Sequence, residues 1–462
     1  MLGPMSTPLS DDPGSTTGST TGGPAGTTAR GYDPASEVVD LCRDLIRIDT
    51  SNYGEEEGPG ERKAAEHVAA LLDEVGIECT VVEKLHGRTS LVARWGDDSS
   101  GRDALLLHGH LDVVPAAAED WQVDPFSGEV RDGYVWGRGA VDMKDFDAML
   151  LSVVRARARA GRVPDRPVVL CFTADEEAGG HQGAQVIVED HPELLEGCTE
   201  AVGEVGGFST TVRGRRVYLV EAAEKGMAWM KLTARGRAGH GSMINTDNAV
   251  SRLTAAVARI GAHQWPVRLT PTMEVLLATV ADLAGTEATP ENAPALIEEF
   301  GGAARMLGAV ISNTTNPTML QAGYKVNVIP TEATAHVDGR FLPGFEDEFF
   351  ATLAELTGEG IDIEYLSHQQ PWETPYDGDL VAAMNRSILA EDPDGIVAPY
   401  LMSGGTDAKH FRKLGMRSYG FAPLRLPADL DFTALFHGVD ERVPVDALEF
   451  GARVFDRFLD QV

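Results

Sequence analysis

The stretch Thr173-Ala174-Asp175-Glu176-Glu177-Ala178-Gly179-Gly180 decides how this chain is read. It follows the apolar run Pro167-Val168-Val169-Leu170-Cys171-Phe172, which is β-rich and short enough to be a buried strand. Three consecutive carboxylates delivered from a core strand onto a glycine turn need a metal, a cationic partner or raised pKa values. Open α/β sheets place their active sites at strand ends of this kind. Taken alone, the run reads equally as a solvated acidic loop. The choice depends on whether the other parts of a metal site occur elsewhere.

At 462 residues the chain implies two or three domains, and its 43% hydrophobic content is ample for packed cores. No uninterrupted apolar run approaches the roughly 18 residues of a membrane span. The net charge of −32 speaks against nucleic acid or an anionic membrane as partner, since phosphate binding needs basic patches. Cys42, Cys79, Cys171 and Cys198 are widely spaced and form no CxxC pair, so they read as reduced core thiols. The N-terminus carries neither a basic leader nor an apolar core typical of a signal peptide. A cytoplasmic location is the expectation.

Residues 1–31 are Ser, Thr, Gly and Pro with almost no large apolar side chains, and are expected to be a disordered tail. Helical spacing starts near Ser36, with Val38, Val39, Leu41, Cys42, Leu45 and Ile46 on one face, and recurs over 60–75 before Gly76. Strand-like segments occupy 79–83, 90–94 and 104–108, then 201–204 and 217–220, with a helix over 143–160. This alternation predicts an α/β fold with a mostly parallel central sheet flanked by helices. From Gly226 the texture changes. A strand at 227–235 and a helix over 247–262 precede a long Ala-rich insertion. Strands at 319–328 and 332–341, a helix over 346–357 and a strand at 361–366 complete an α+β set. The expected organisation is a catalytic domain in two parts, 32–222 and 368–462, with a smaller domain, 223–367, inserted between them. Residues from about 368 are expected to hold a glycine-rich motif and a last helix.

His110-Leu111-Asp112 follows the apolar run Leu105-Leu106-Leu107. In extended structure positions i and i+2 face the same way, so Asp112 can orient the His110 ring as a carboxylate orients a zinc-ligand histidine. A lone His110 also reads as a core histidine. Gly137-Arg138-Gly139-Ala140-Val141-Asp142 puts an aspartate after a tight turn, where it is either a helix N-cap or a carboxylate able to bridge two metals. Glu204 again ends a strand in a glycine turn, and His437 lies far away before a helical C-terminus. His110, Asp142, Glu177, Glu204 and His437 form a set of N and O donors suited to a pair of zinc ions, without the thiolates of a zinc finger. Two metals roughly 3.5–4 Å apart polarise a carbonyl and activate water together. Neighbouring residues at a strand end diverge, so Glu177 can bind metal while Glu176 reaches the water as general base.

These ordered motifs resemble the dinuclear zinc peptidase family of aminoacylase, acetylornithine deacetylase, succinyl-diaminopimelate desuccinylase and glutamate carboxypeptidase. The likeness runs from about residue 35 to the C-terminus. It implies that His110 and Glu204 bind one divalent ion and Glu177 and His437 the other, with Asp142 bridging, Glu176 as base and Asp112 orienting His110. Zinc is the expected metal, with cobalt or manganese as alternatives. The resemblance further implies a lid domain that forms a homodimer and carries a histidine, here His240 in Gly239-His240-Gly241-Ser242, into the partner's site to stabilise the oxyanion. It also implies that Arg340 clamps a substrate carboxylate, although a structural ion pair is the alternative, and that Asn327, Gly405 and Thr406 contact substrate.

The insertion near 280–316 is longer than the compact deacetylases carry and favours the carboxypeptidase and aminoacylase branch. The expected activity is therefore hydrolysis of an amide next to a free carboxylate, in an N-acyl amino acid or small peptide. A biosynthetic deacylase of acetylornithine or succinyl-diaminopimelate type is the alternative. An inactive binding or scaffold relative would have lost a ligand or the base, and every such position is filled.

Overall fold

Apolar side chains spaced three and four apart form the first helix, α1 (Val38–Ile46), whose Val38, Leu41, Cys42, Leu45 and Ile46 are buried. The structure, a computed structural model, describes residues 32–54 and 57–462. The tail expected over 1–31 lies outside the described residues. The chain continues through α2 (Arg62–Asp73), β1 (Cys79–Val82), β2 (Ser90–Trp95), β3 (Ala104–His110) and α3 (Lys144–Arg159). Next come β4 (Val168–Thr173), β5 (Cys198–Gly203), β6 (Phe208–Val212) and β7 (Arg215–Glu224). Every residue of β3 and β4 is buried, as strands covered on both faces must be.

The second part opens with β8 (Gly226–Arg235) and α4 (Ala249–Ala262). Asn248 caps α4, its side chain accepting from the N–H groups of Val250 and Ser251. The insertion is helical: α5 (Pro271–Ala284), α6 (Ala293–Glu298) and α7 (Ala304–Gly308). Then follow β9 (Thr314–Ala322), β10 (Glu332–Phe341), α8 (Glu346–Thr357) and β11 (Ile361–Gln369). The chain ends through β12 (Trp372–Glu373), α9 (Gly378–Glu391), β13 (Ile396–Met402), β14 (Arg417–Gly420) and α10 (Val445–Leu459).

Among the described residues the large sheet has ten strands, in the order β1-β2-β4-β3-β5-β14-β7-β12, with β13 and β6 also paired to β7. Its middle, β4-β3-β5-β14, is parallel, and antiparallel strands flank it. Alternate side chains feed two cores. Leu105 and Leu107 join the helices α1, α3 and α10 on one face, while Leu106, Val169 and Cys171 meet Ile187 and Phe411 on the other. This is the α/β architecture that the alternation of elements predicts. A separate four-stranded antiparallel sheet, β9-β10-β8-β11, packs α4 and α8 against one face through Met230, Leu232, Leu253, Phe349 and Leu353.

Three features depart from the sequence reading. The strand expected over 319–328 spans 314–322 instead, because the chain turns at Gly323 with φ +68° and Val328–Ile329 then pairs with Gly239–His240. The C-terminal part holds more than a motif and one helix, since α9, β13 and β14 complete the large sheet and its cover. Finally, α5, α6 and α7 lie inside 223–367 in sequence, yet Met273, Leu277, Leu296, Phe300 and Leu307 share the core of the large sheet.

Candidate metal centre

Parallel pairing brings the chemistry together. His110 at the end of β3 sits opposite Thr173 at the end of β4, and β5, paired with β3 on the other side, leads straight into Glu204. After Thr173 the chain turns sharply, with Asp175 at φ +67° and Gly180 at φ +73°, and presents Glu176 and Glu177 at the same edge. A Cβ on Gly180 would meet Asp407 Oδ1 at 2.4 Å, so the turn admits only glycine there.

At the centre is Asp142. His110 Nε2 lies 3.1 Å from Asp142 Oδ1, and His437 Nε2 lies 3.2 Å from Asp142 Oδ2. Each histidine also faces one glutamate: His110 Nε2 is 3.3 Å from Glu204 Oε2, and His437 Nε2 is 3.1 Å from Glu177 Oε2. One carboxylate thus spans two histidines that are more than three hundred positions apart. His110 Nδ1 contacts the carbonyl oxygen of Asp112 at 2.9 Å, which leaves Nε2 directed at the carboxylates.

Charge shows what this arrangement requires. Burial, together with Asp142, pushes the Glu204 carboxyl up to about 7, even though His110 opposes the shift. Burial also resists a charge on His110, but Glu204 and Asp142 outweigh it and hold the imidazole well above its ordinary value. Hydrogen bonding to Asp142 and Glu177 pushes His437 up to about 10. Three carboxylates and two imidazoles arranged this way call for added positive charge between them. Divalent cations supply it, and a donor set of imidazole nitrogens and carboxylate oxygens suits them. Ligand atoms of His110, Glu176 and Glu204 lie within 4.8 Å of one another, as do those of His110, Asp142 and Glu177. The residues present therefore fit a pair of divalent ions.

The Asp112 carboxylate has a further task beyond the one its spacing suggested. Its oxygen stands 3.6 Å from His110 Nδ1, while its two oxygens accept from the backbone N–H groups of Glu176 and Glu177 at 3.1 Å each. It pins the Glu176-Glu177 turn, while the hydrogen bond to the ring comes from its carbonyl. Asn52 Nδ2 donates to Asp112 at 2.9 Å and to Asp175 at 3.2 Å, and Asn52 in turn accepts from Arg88, which pairs with the buried Glu61. Glu441 does the same for Asp142. It accepts from the N–H groups of Val141 at 2.7 Å and Asp142 at 3.3 Å, and takes the Arg138 guanidinium at 2.7 Å. The arginine of the Gly-Arg-Gly motif is thus the counterion of the clamp on that loop. Asn52, Arg88, Glu61 and Glu441 carry no motif of their own, so the sequence did not mark them.

Glu176 makes no contact with either histidine of the kind Glu177 and Glu204 make. Its Oε1 lies 3.8 Å from Lys409 Nζ. Burial and the neighbouring Glu204 raise its carboxyl well above the ordinary range, with Lys409 opposing. Lys409 follows Ser403-Gly404-Gly405-Thr406-Asp407 by two residues, and that proximity is the only signal the sequence offered for it. A cavity of about 700 Å³ opens on the cluster. Arg340, Gly405, Thr406 and Lys409 line it beside Asp142, Glu176, Glu177, Glu204 and His437. Arg340 does two things at once: its Nε donates to Asp338 at 2.8 Å, and its Nη1 reaches the Ser403 carbonyl at 3.5 Å. His240 and Asn327 do not line this cavity. They lie beside each other, with Gly241 N–H donating to the Asn327 carbonyl at 2.9 Å and the exposed His240 contacting Ser242 Oγ at 2.8 Å.

Residues 106–461 match the model of peptidase family M20/M25/M40. The chain belongs to that family. It is a hydrolase of peptide or linear amide bonds. It is 31% identical over 441 residues to the N-fatty-acyl-amino acid synthase/hydrolase of Xenopus tropicalis, covering 89% of this chain and 83% of that one. With aminoacylase-1 of Homo sapiens it shares 28% identity over 442 residues, covering 94% and 97%. Among solved structures, the M20 metallo-carboxypeptidase Sso-CP2 of Sulfolobus solfataricus superposes with a TM-score of 0.70 at 18% identity, covering 92% of this chain and 99% of that one.

The Glu441 clamp yields a prediction. Glu441→Ala leaves Arg138 buried without its carboxylate and frees the Asp142 loop. Metal affinity, measured by competition with a chelator, should fall roughly 10–100-fold, as loss of a ligand's supporting partner generally does. Unchanged affinity would show that the loop holds Asp142 without the clamp.

Proposed function

We propose that this enzyme hydrolyses the amide of an N-acyl amino acid or small peptide next to a free carboxylate, using two divalent ions, with zinc as the native metal. The observation that carries this reading is Asp142, one oxygen toward each histidine and each histidine backed by its own glutamate. The proposed ligands are His110 and Glu204 for one ion and Glu177 and His437 for the other, bridged by Asp142. When bound, the ions supply Lewis acidity to the scissile carbonyl and lower the pKa of a water. Glu176, hydrogen-bonded to neither histidine, would serve as the general base that takes a proton from the attacking water and returns it to the leaving amine. Arg340 receives the substrate carboxylate, and Gly405 and Thr406 line its path.

The relatives' names support an N-acyl amino acid in particular. We assign the four-stranded sheet and its helices to a dimerisation lid. Its support is apolar side chains left in solvent on that sheet, among them Trp229, Met319, Leu320, Tyr365 and Leu366. In such a homodimer the partner subunit's His240, with Asn327 beside it, would complete the oxyanion site that His240 does not reach in its own chain. No helix among the described residues is long and apolar enough to cross a membrane. We place the enzyme in the cytoplasm, in keeping with its four free cysteines.

A panel of N-acetyl, N-succinyl and longer N-acyl amino acids plus dipeptides, assayed for amine release with and without added zinc or cobalt, tests the reading. Metal-dependent release from N-acyl amino acids is the expected result, and silence from folded, metal-loaded protein across the panel would refute it. Glu176→Gln should keep its metal and lose several orders of magnitude in kcat. Near-normal turnover would remove Glu176 from the role of base.

A further inference from the structure

Lys409 is a buried cation with no place in the ligand set. Its side chain is 12% exposed and that of Glu176 beside it 10%, with Nζ 3.8 Å from Oε1. That separation is an ion pair without a hydrogen bond. Among the described residues neither group has a hydrogen-bond partner, so charge alone holds them together. Burial disfavours a charge on Lys409, and Glu176, Asp407, Glu224 and Glu204 sustain it. Three of these carboxylates are engaged elsewhere. Asp407 Oδ2 accepts from Thr173 Oγ1 at 2.7 Å, Glu224 Oε1 accepts from Thr406 N–H at 3.1 Å and Oγ1 at 2.5 Å, and Glu204 faces His110. Glu176 is the one left to Lys409.

The lysine is fastened to the turn that carries Glu176. It stands on the short helix Ala408–Phe411, whose Phe411 is buried in the core beneath the sheet. Besides the Thr173–Asp407 bond at the end of β4, His410 Nε2 contacts the Gly179 carbonyl at 3.0 Å. Gly180 packs so closely on this helix that a Cβ there would meet His410 Nε2 at 3.0 Å as well as Asp407. Cation and carboxylate therefore belong to one packed unit.

Glu176 needs such a restraint. A ligand atom of Glu176 lies within 4.8 Å of those of His110 and Glu204, as close as His110 comes to Asp142 and Glu177. Asp112 fixes its backbone N–H and leaves its side chain free. A carboxylate at that range is drawn to any ion that His110 and Glu204 hold, and one bound to the ion no longer accepts a proton from water. Lys409 supplies the competing attraction.

We propose that Lys409 is a positioning residue whose ammonium holds the Glu176 carboxylate off the ion of the His110–Glu204 site, keeping Glu176 a base instead of a ligand. The inference rests on the functional reading above for the ions and for the role of Glu176.

The test is a double-mutant cycle on zinc affinity, read by competition with a chelator. Lys409→Met, similar in length and uncharged, should tighten binding roughly 10–100-fold, the range over which groups around a ligand set generally tune affinity. The same change made in Glu176→Gln should leave affinity nearly unchanged, because the carboxylate it would release is gone. An equal gain in both backgrounds, which is what loss of a nearby positive charge alone produces, overturns the proposal, as does no gain in either. In cobalt-loaded Lys409→Met the added oxygen should weaken the visible d–d absorption, which falls as coordination number rises, and an unchanged spectrum overturns the proposal. In turnover Lys409→Met should lower kcat at least about tenfold, out of the roughly 10²–10⁴-fold that a general base supplies, with KM little changed. Lys409→Arg, which keeps the charge, should recover most of that loss. Because the cycle needs no substrate, it separates this proposal from the functional reading. If the wild type loads two ions and hydrolyses nothing, the reaction assignment falls, while a gain confined to the Glu176 background still upholds the positioning. A gain shared by both backgrounds refutes the positioning however fast the enzyme turns over.

Discussion

Everything in this structure is arranged around one shared carboxylate. Asp142 meets His110 with one oxygen and His437 with the other, at 3.1 Å and 3.2 Å, in a site that also buries Glu176, Glu177 and Glu204. Anions gathered so closely and shielded from water are unstable without compensating positive charge. The raised carboxyl of Glu204 and the raised imidazoles of His110 and His437 are the strain of that condition expressed in protons. A pair of divalent ions held by these residues would supply that charge, together with Lewis acidity toward a carbonyl.

The supporting structure acts mainly by fixing where these groups point. Parallel pairing of β3 with β4 and β5 sets three ligands at one sheet edge, as open α/β sheets do generally. Buried charged groups then lock the loops: Asp112 holds the turn of Glu176 and Glu177 by their N–H groups, and Glu441 with Arg138 holds Asp142. The chain from Glu61 through Arg88 and Asn52 extends the lock on Asp112 outward to α2. His437 arrives from the far end of the chain on a loop with φ +57° at the histidine itself, so the site exists only once the C-terminal part has docked.

Much of this was legible in sequence because its signals are local. Short apolar runs ending in acidic or histidine-bearing glycine turns marked β3, β4 and β5, and the residues brought together at their ends are those the motifs named. What escaped depends on tertiary context. Leu380, Val381, Met384 and Ile388 carry the spacing of α9, but its place on the large sheet becomes visible only once β13 pairs with β7. The spacing of His110 and Asp112 was right for contact, but it did not disclose that the Asp112 carbonyl makes the hydrogen bond to the ring while its carboxylate also holds two N–H groups. The same limit applies to the insertion: its sequence read only as Ala-rich, and the core it joins shows only in the fold, where Lys225 and Glu373 hydrogen-bond to it from far away in sequence. His240 and Asn327 lie together but away from the cavity of their own chain, which no local pattern discloses.

The central claim is that the Asp142 cluster is built for two cations, and calorimetric titration of metal-free protein with zinc tests it most directly. Two tightly bound equivalents per chain are expected, with at least one lost in Asp142→Ala. A single equivalent in the wild type, or two undiminished equivalents without the Asp142 carboxylate, would contradict it.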